Sequence, residues 1–305
     1  MISSDVTTQK QSIRAQYFTQ NARSAFLMAL KLLSIQKRGK ILLPAYIGIN
    51  DKEGSGVFDP IRALGVDYEF YALDANLAVV KEDFKRKVSQ PDVAAVLVIH
   101  YFGFCAGNFD YVYKLCRAQK KFLIEDCAHA LDSYHDKKKL GTFGDAAFYS
   151  LHKILPVETG GILAINNSKI EIPNNLKDDI NSESLAAYRR ADWGGISATR
   201  RTNFKYLARK LGKIKPFYKT LPEGIVPMNF PVIIDMKNRD EVYFKLRDWG
   251  VPAVSLYYRL ISEIDKSEYP ASYRVSSHIL NLPIHQSLTI SDMDQVTDKL
   301  YRAIS

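Results

Sequence analysis

Cysteine is scarce in this sequence. Cys105, Cys116 and Cys127 are spread over 305 residues. Their number is odd and their spacing fits no metal-ligand pattern, which argues against a disulfide framework and predicts reduced thiols in a cytoplasmic protein. No apolar run approaches the roughly 18 residues of a membrane-crossing helix. The N-terminal stretch, MISSDVTTQKQSIRAQYF, has no apolar signal-peptide core. Internal repeats, low-complexity segments, and helix-turn-helix, zinc-finger or aromatic RNA-binding signatures are also missing, so nucleic acid and membrane are not expected partners. What is present is a chain 47% hydrophobic, enough for a sizeable core in one large domain and a smaller one. The net charge is +9, with local clusters at 137–139, Arg189-Arg190 and Arg200-Arg201. Surface solvation accounts for most of it, and an anionic small molecule is compatible with it.

Residues 1–15 read as polar and mobile. Phe26, Ala29, Leu30 and Leu33 then recur at helical spacing, predicting an amphipathic helix that begins near 21–24. Such an N-terminus is either a simple side-chain cap or a phosphate seat. Strands are predicted at 40–43, 67–73, 93–99, 121–124, 146–151 and 162–165, with helices at 56–64, 80–88 and 109–119. This alternation is the signature of a doubly wound α/β domain, and the run VAAVLVI at 93–99 is apolar on both faces, as a central parallel strand should be. After a polar loop from 167, a helical region over 185–211 is predicted to break around Trp193-Gly194-Gly195. The remainder reads as a compact α/β cap: strands at 230–234 and 251–257, a helix at 238–249 closed by Gly250, and a terminal helix at 289–304. The Thr289/Asp292 pair at its start has capping-box spacing.

Asp126 ends one buried strand, and Ser150, His152 and Lys153 end another. In open α/β sheets, ligands bind beyond such carboxyl ends. A carboxylate beside a lysine suits pyridoxal 5'-phosphate, which needs an amine for its Schiff base and an anion to keep its pyridine nitrogen protonated. The same residues also read as a helix cap and a solvated charge, and pattern alone leaves both readings open. His100 reads as a ligand contact or, in preference, as a structural hydrogen bond to a neighbouring loop, and His285 as a substrate contact or, in preference, a structural residue.

The wording of the stretch adds a resemblance. Glu125-Asp126-Cys127-Ala128-His129-Ala130, then Gly141-Thr142-Phe143-Gly144-Asp145, then Ser150, Lys153 and Gly160-Gly161 follow in order. Together they resemble the DegT/StrS family of sugar aminotransferases, which are fold-type I pyridoxal-phosphate enzymes. The resemblance runs from about Phe18 onward and is strongest over 93–166. It implies that Lys153 forms the Schiff base and moves the proton, Asp126 pairs with the pyridinium, His129 sits near the phenolic oxygen, and Ser150 contacts the phosphate. Ala22-Arg23-Ser24-Ala25-Phe26 is similar to the family's phosphate turn, making Arg23 and Ser24 further phosphate contacts. The aromatic that stacks on the cofactor falls near Gly48 here, and Tyr46 is the candidate substitute, the alternative being a packed tyrosine at a strand end.

Two departures stand beside these matches. Lys153 follows Ser150 about two residues sooner than in most members, with Glu158-Thr159 replacing Gly-Glu. The family's N-Y-R-M segment, which reaches the neighbouring subunit, is not found, and 200–204 is at best a shortened counterpart. The implied fold is a fold-type I large domain over 1–198, its mostly parallel sheet between helices, with a small α/β domain over 199–305 and a linking helix. The implied activity is amino transfer, usually from glutamate, to a nucleotide-linked keto-sugar in a homodimer. The alternatives are a dehydratase, as in relatives with histidine at the lysine position, and a non-catalytic regulatory relative.

Overall fold

The run at 93–99 folds as predicted and organises the rest. In the computed structural model, which describes residues 13–50, 54–235, 238–254 and 256–305, it is an interior strand of a seven-stranded sheet. Residues 1–12, most of the stretch read as polar and mobile, lie outside the described residues. The chain runs β1 (Ala15–Thr19), α1 (Ala22–Leu32), α2 (Ile35–Arg38), β2 (Lys40–Pro44), α3 (Phe58–Leu64), β3 (Tyr68–Tyr71), α4 (Lys81–Val88), β4 (Val93–Ile99), α5 (Phe109–Ala118) and β5 (Phe122–Asp126). A two-residue hairpin, β6 (Tyr134–His135) and β7 (Lys138–Lys139), leads to β8 (Ala146–Ser150) and β9 (Gly161–Ile165). The sheet order is β1-β9-β8-β5-β4-β2-β3. β2, β3, β4, β5 and β8 pair in parallel, while β9 runs antiparallel to both β8 and β1. This is the mostly parallel α/β sheet expected.

Local chemistry explains several boundaries. The Asn21 side chain accepts the Ser24 N–H and starts α1. Gly65 ends α3 in the left-handed region, at φ 58°. Two features of this part differ from expectation. β1 is an edge strand that its own sequence does not announce; its five residues are held by β9, about 150 positions away. The helical break falls between α6 (Ser182–Arg190) and α7 (Trp193–Lys210), ahead of the two glycines. Asp192 caps α7 by accepting the Gly195 N–H, and a Cβ at Gly195 would sit 2.3 Å from the Asp192 carboxylate. The glycines therefore serve the cap instead of breaking the helix. Positions 198 and 199, where a linking helix is expected, lie within α7.

The C-terminal lobe holds β10 (Lys215–Pro216), β11 (Phe230–Ile233), α8 (Arg239–Asp248), α9 (Pro270–His278), β12 (Ile279–Leu282) and α10 (Ile290–Ile304), with the antiparallel order β10-β11-β12. The strand expected at 251–257 does not form. Among the described residues of that segment, Val254 alone bridges to Asn281; Pro252 has no N–H to give and Tyr257 turns into the left-handed region at φ 58°. The Thr289/Asp292 capping box is present.

Candidate active site

The carboxyl ends of β2, β4, β5 and β8 converge, and four of the chain's chemically distinctive segments meet there. Glu125 and Asp126 close β5 and point to different tasks. Glu125 is fully buried and architectural. Its Oε1 accepts the N–H groups of Phe143 (2.8 Å) and Gly144 (2.6 Å), and its Oε2 accepts that of Gly141 (2.8 Å). His100 joins through Nε2 at 3.1 Å from Oε2, while its Nδ1 accepts the Ala106 N–H. That second bond fixes the tautomer, leaving the Nε2 proton to be donated to Glu125. The role read for His100, a structural bond to a neighbouring loop, is the one observed. The Gly141–Asp145 motif is thus folded around a carboxylate, and its glycines are needed there: a Cβ on Gly144 would lie 2.5 Å from the Leu123 carbonyl oxygen.

Asp126 faces the crevice. Its Oδ1 accepts the Ala128 N–H at 2.9 Å. Burial pushes its carboxyl up to about 7, against the pull of the Ala128 N–H and the Lys153 ammonium. His129 is also buried, and its Nδ1 accepts the Phe102 N–H at 3.2 Å. Burial, helped by Lys153 and His152, lowers it to about 3, so the imidazole is neutral. Lys153, three residues beyond β8, is therefore felt electrostatically by both Asp126 and His129. These three predicted residues are brought to one place.

The others sit around them. Ser150 is buried, its hydroxyl 3.2 Å from His152 Nδ1. It is the register partner of Gly161, and a Cβ on Gly161 would lie 2.3 Å from the Asn21 carbonyl carbon. Ser150 and the start of α1 thus share one end of the crevice. Ser24 gives its N–H to the Asn21 cap, and Arg23 pairs with Asp59 of α3 at 3.6 Å. Tyr46 is wholly buried after β2; its hydroxyl has no hydrogen-bond partner among the described residues. Its ring lies 5.4 Å from Tyr101 and 5.0 Å from Tyr257.

Two features escaped the sequence reading. The first is Tyr257, 6.0 Å from the rings of both His129 and Phe102. The one sequence signal for it is negative: Gly48 offers no ring of its own. The second is a brace from the C-terminal lobe to the lysine loop. Gln286 Nε2 donates to the Ile154 carbonyl at 2.7 Å, and buried Arg200 donates from Nε to Gln286 Oε1 at 2.8 Å. Arg200 also reaches the Met228 carbonyl at 2.7 Å, and burial lowers it to about 10. His285 next to Gln286 bonds Ser287 at 2.6 Å and is lowered by burial and by Arg200.

The donor set fits pyridoxal phosphate. It offers a buried carboxyl raised by desolvation, an amine that acts on it electrostatically, a neutral imidazole and an aromatic surround.

Comparison with known proteins agrees with the fold. GDP-perosamine synthase of Vibrio cholerae is 27% identical over 172 residues, spanning 56% of this chain and 44% of that protein. A UDP-4-amino-4,6-dideoxy-N-acetyl-β-L-altrosamine transaminase of Campylobacter jejuni is 24% identical over 281 residues, 78% of this chain and 73% of that protein. The crystal structure of the aminotransferase TlmJ from Streptoalloteichus hindustanus superposes with a TM-score of 0.74 at 23% identity, covering 94% of this chain and 85% of that one. The model of the DegT/DnrJ/EryC1/StrS aminotransferase family matches residues 14–173 and 189–301, nearly the whole of the described fold, and the chain belongs to that family.

Proposed function

We propose that this chain binds pyridoxal 5'-phosphate and transfers an amino group, with glutamate as donor, to a keto-sugar carried on a nucleoside diphosphate. The observation that carries the reading is the grouping of Lys153 with Asp126 and neutral His129 at the carboxyl ends of β5 and β8. When bound, the cofactor supplies an electron sink for the donor's α-carbon. Asp126 holds a cation at the ring nitrogen, which offsets the cost of its own buried charge. Lys153 would hold the group through its amine and would carry a proton at Nζ, a task that needs the amine neutral. His129, with Nδ1 committed to the Phe102 N–H, presents an Nε2 proton to an oxygen acceptor. Ser150 and Ser24 flank the start of α1, where a phosphate gains from the helix dipole. Arg23 joins them on release from Asp59, and Tyr46 backs the aromatic surround. The nucleotide names of both curated relatives and the +9 charge support an anionic sugar nucleotide. A homodimer is proposed on the family resemblance, as is a cytoplasmic site of action on the three reduced thiols.

The test is an absorbance spectrum of purified protein with added pyridoxal phosphate, for wild type and Lys153→Ala. Wild type should show a visible band that survives desalting and is fixed to Lys153 by borohydride. The variant should lack it, and glutamate should bleach it. A protein that never takes up cofactor refutes the enzyme reading. A band indifferent to every amino donor refutes the transaminase alone.

A further inference from the structure

Beyond the residues already assigned, the crevice has an aromatic lining of four rings: Tyr46, Tyr101, Phe102 and Tyr257. Three of them are spent on packing. Tyr46 and Phe102 are fully buried, and Tyr101 nearly so, with its hydroxyl donating to the Tyr46 carbonyl at 2.7 Å. Tyr257 differs in that it is only half-buried. It also covers the others: its ring is 5.0 Å from Tyr46, 5.5 Å from Tyr101 and 6.0 Å from Phe102. On its other flank it lies 6.0 Å from His129, at 68°.

Its placement is built rather than incidental. The C-terminal lobe delivers it by clasping the strap after β2. Ile49 N–H donates to the Arg259 carbonyl at 3.1 Å, and Ile261 N–H donates to the Ile47 carbonyl at 3.0 Å. Between these bonds Gly48 faces Tyr257 so closely that a Cβ there would lie 2.8 Å from Cδ1 of the ring. Tyr257 itself holds φ 58°, an unfavourable conformation for a bulky residue that persists only where surroundings enforce it. Ser276 of α9 enforces it, its hydroxyl donating to the Tyr257 carbonyl at 2.6 Å. Strain of this kind, beside Asp126 and His129, marks a ring that has to be where it is.

We infer that Tyr257, delivered by the C-terminal lobe, is the aromatic wall on which the flat ring of the cofactor rests, and that position 48 is glycine to admit it. The inference rests on the cofactor reading given above. Tyr46 then backs Tyr257 without meeting the ligand.

A side-chain swap in the full-length protein tests this. The dissociation constant for pyridoxal phosphate and the visible circular dichroism of the bound group are measured for wild type, Tyr257→Ala, Tyr257→Phe, Gly48→Phe and Gly48→Phe/Tyr257→Ala. Losing one stacked ring should weaken binding about tenfold and change the dichroic band, while Tyr257→Phe should stay within about twofold. Gly48→Phe alone should bind worse than wild type because the two rings collide. In the double variant the phenyl ring introduced at position 48 inherits the vacated space, and affinity should return to within about threefold. Should Tyr257→Ala fail to fold, Tyr257→Leu takes its place, alone and with Gly48→Phe. Unchanged affinity and dichroism in the truncated variant, or a double variant no tighter than the single, overturns the inference and leaves the cofactor reading intact. A wild-type protein that binds no cofactor overturns both.

Discussion

Asp126 and His129 give the cofactor-free protein an opposed pair of pH dependences that two substitutions can separate. Burial raises Asp126 from 3.8 to about 7. Below pH 3.8 it is neutral folded or unfolded and costs nothing. As pH rises toward 7, the unfolded chain releases the proton and the folded chain keeps it, so stability is lost. His129 behaves inversely, lowered from 6.5 to about 3. Its neutral form is no burden above pH 6.5, and stability is lost as pH falls toward 3. Each proton is worth about 1.4 kcal/mol per pH unit, so the ceilings are about 4 kcal/mol for Asp126 and about 5 kcal/mol for His129. In wild type the two slopes largely cancel between pH 4.5 and 6.5. Asp126→Asn should leave a stability that rises with pH across this window. His129→Asn, whose amide oxygen can replace Nδ1 as acceptor for Phe102, should leave one that falls. Over two pH units the variants should diverge by about 5 kcal/mol in total. Urea unfolding of protein stripped of cofactor with a carbonyl scavenger measures this directly. Parallel profiles for the two variants would refute the idea that both groups are held neutral by burial.

Three further outcomes are expected. Glu125→Gln confronts the Gly141, Phe143 and Gly144 N–H groups with an amide that can accept at only one oxygen; it should cost about 3 kcal/mol in urea unfolding and loosen cofactor retention. Gln286→Leu cuts the brace to Ile154 beside Lys153. It should cost about 1 kcal/mol of stability and speed cofactor release after gel filtration, whereas unchanged release would leave the brace purely structural. Thr289→Ala removes the α10 cap and should cost about 1 kcal/mol, with no effect on the cofactor spectrum.

Much of the large domain was legible because its signals are local. The apolar run of β4, the Gly65 stop and the Asn21 cap each follow from neighbours within a few residues. The strands at 40–43, 93–99, 121–124, 146–151 and 162–165 also read correctly because a strand buried on both faces must be apolar throughout, whereas the polar hairpin β6–β7 carries no such signal. β1 was not legible. Its ladder is supplied by β9, and on the other edge Phe18 gives its N–H to the Asp178 carboxylate and accepts the Asp179 N–H, all partners more than 140 positions away. The strand expected at 251–257 failed for the opposite reason: apolar residues were there, but Pro252 and the turned backbone of Tyr257 prevent pairing.

The site divides the same way. The sequence by itself determined which residues could do the chemistry, because Asp126, His129 and Lys153 lie at strand ends whose position follows from the pattern. It also determined the family, through motifs in fixed order. Only the tertiary structure decided which partners each motif residue meets. Glu125, adjacent to Asp126 in the chain, turns to the opposite task because alternate residues of a strand face opposite sides of the sheet. Only the tertiary structure, too, could bring Tyr257 against Gly48 across 209 positions. Contacts of that range are fixed by how the two lobes clasp, and no local pattern of residue types encodes them.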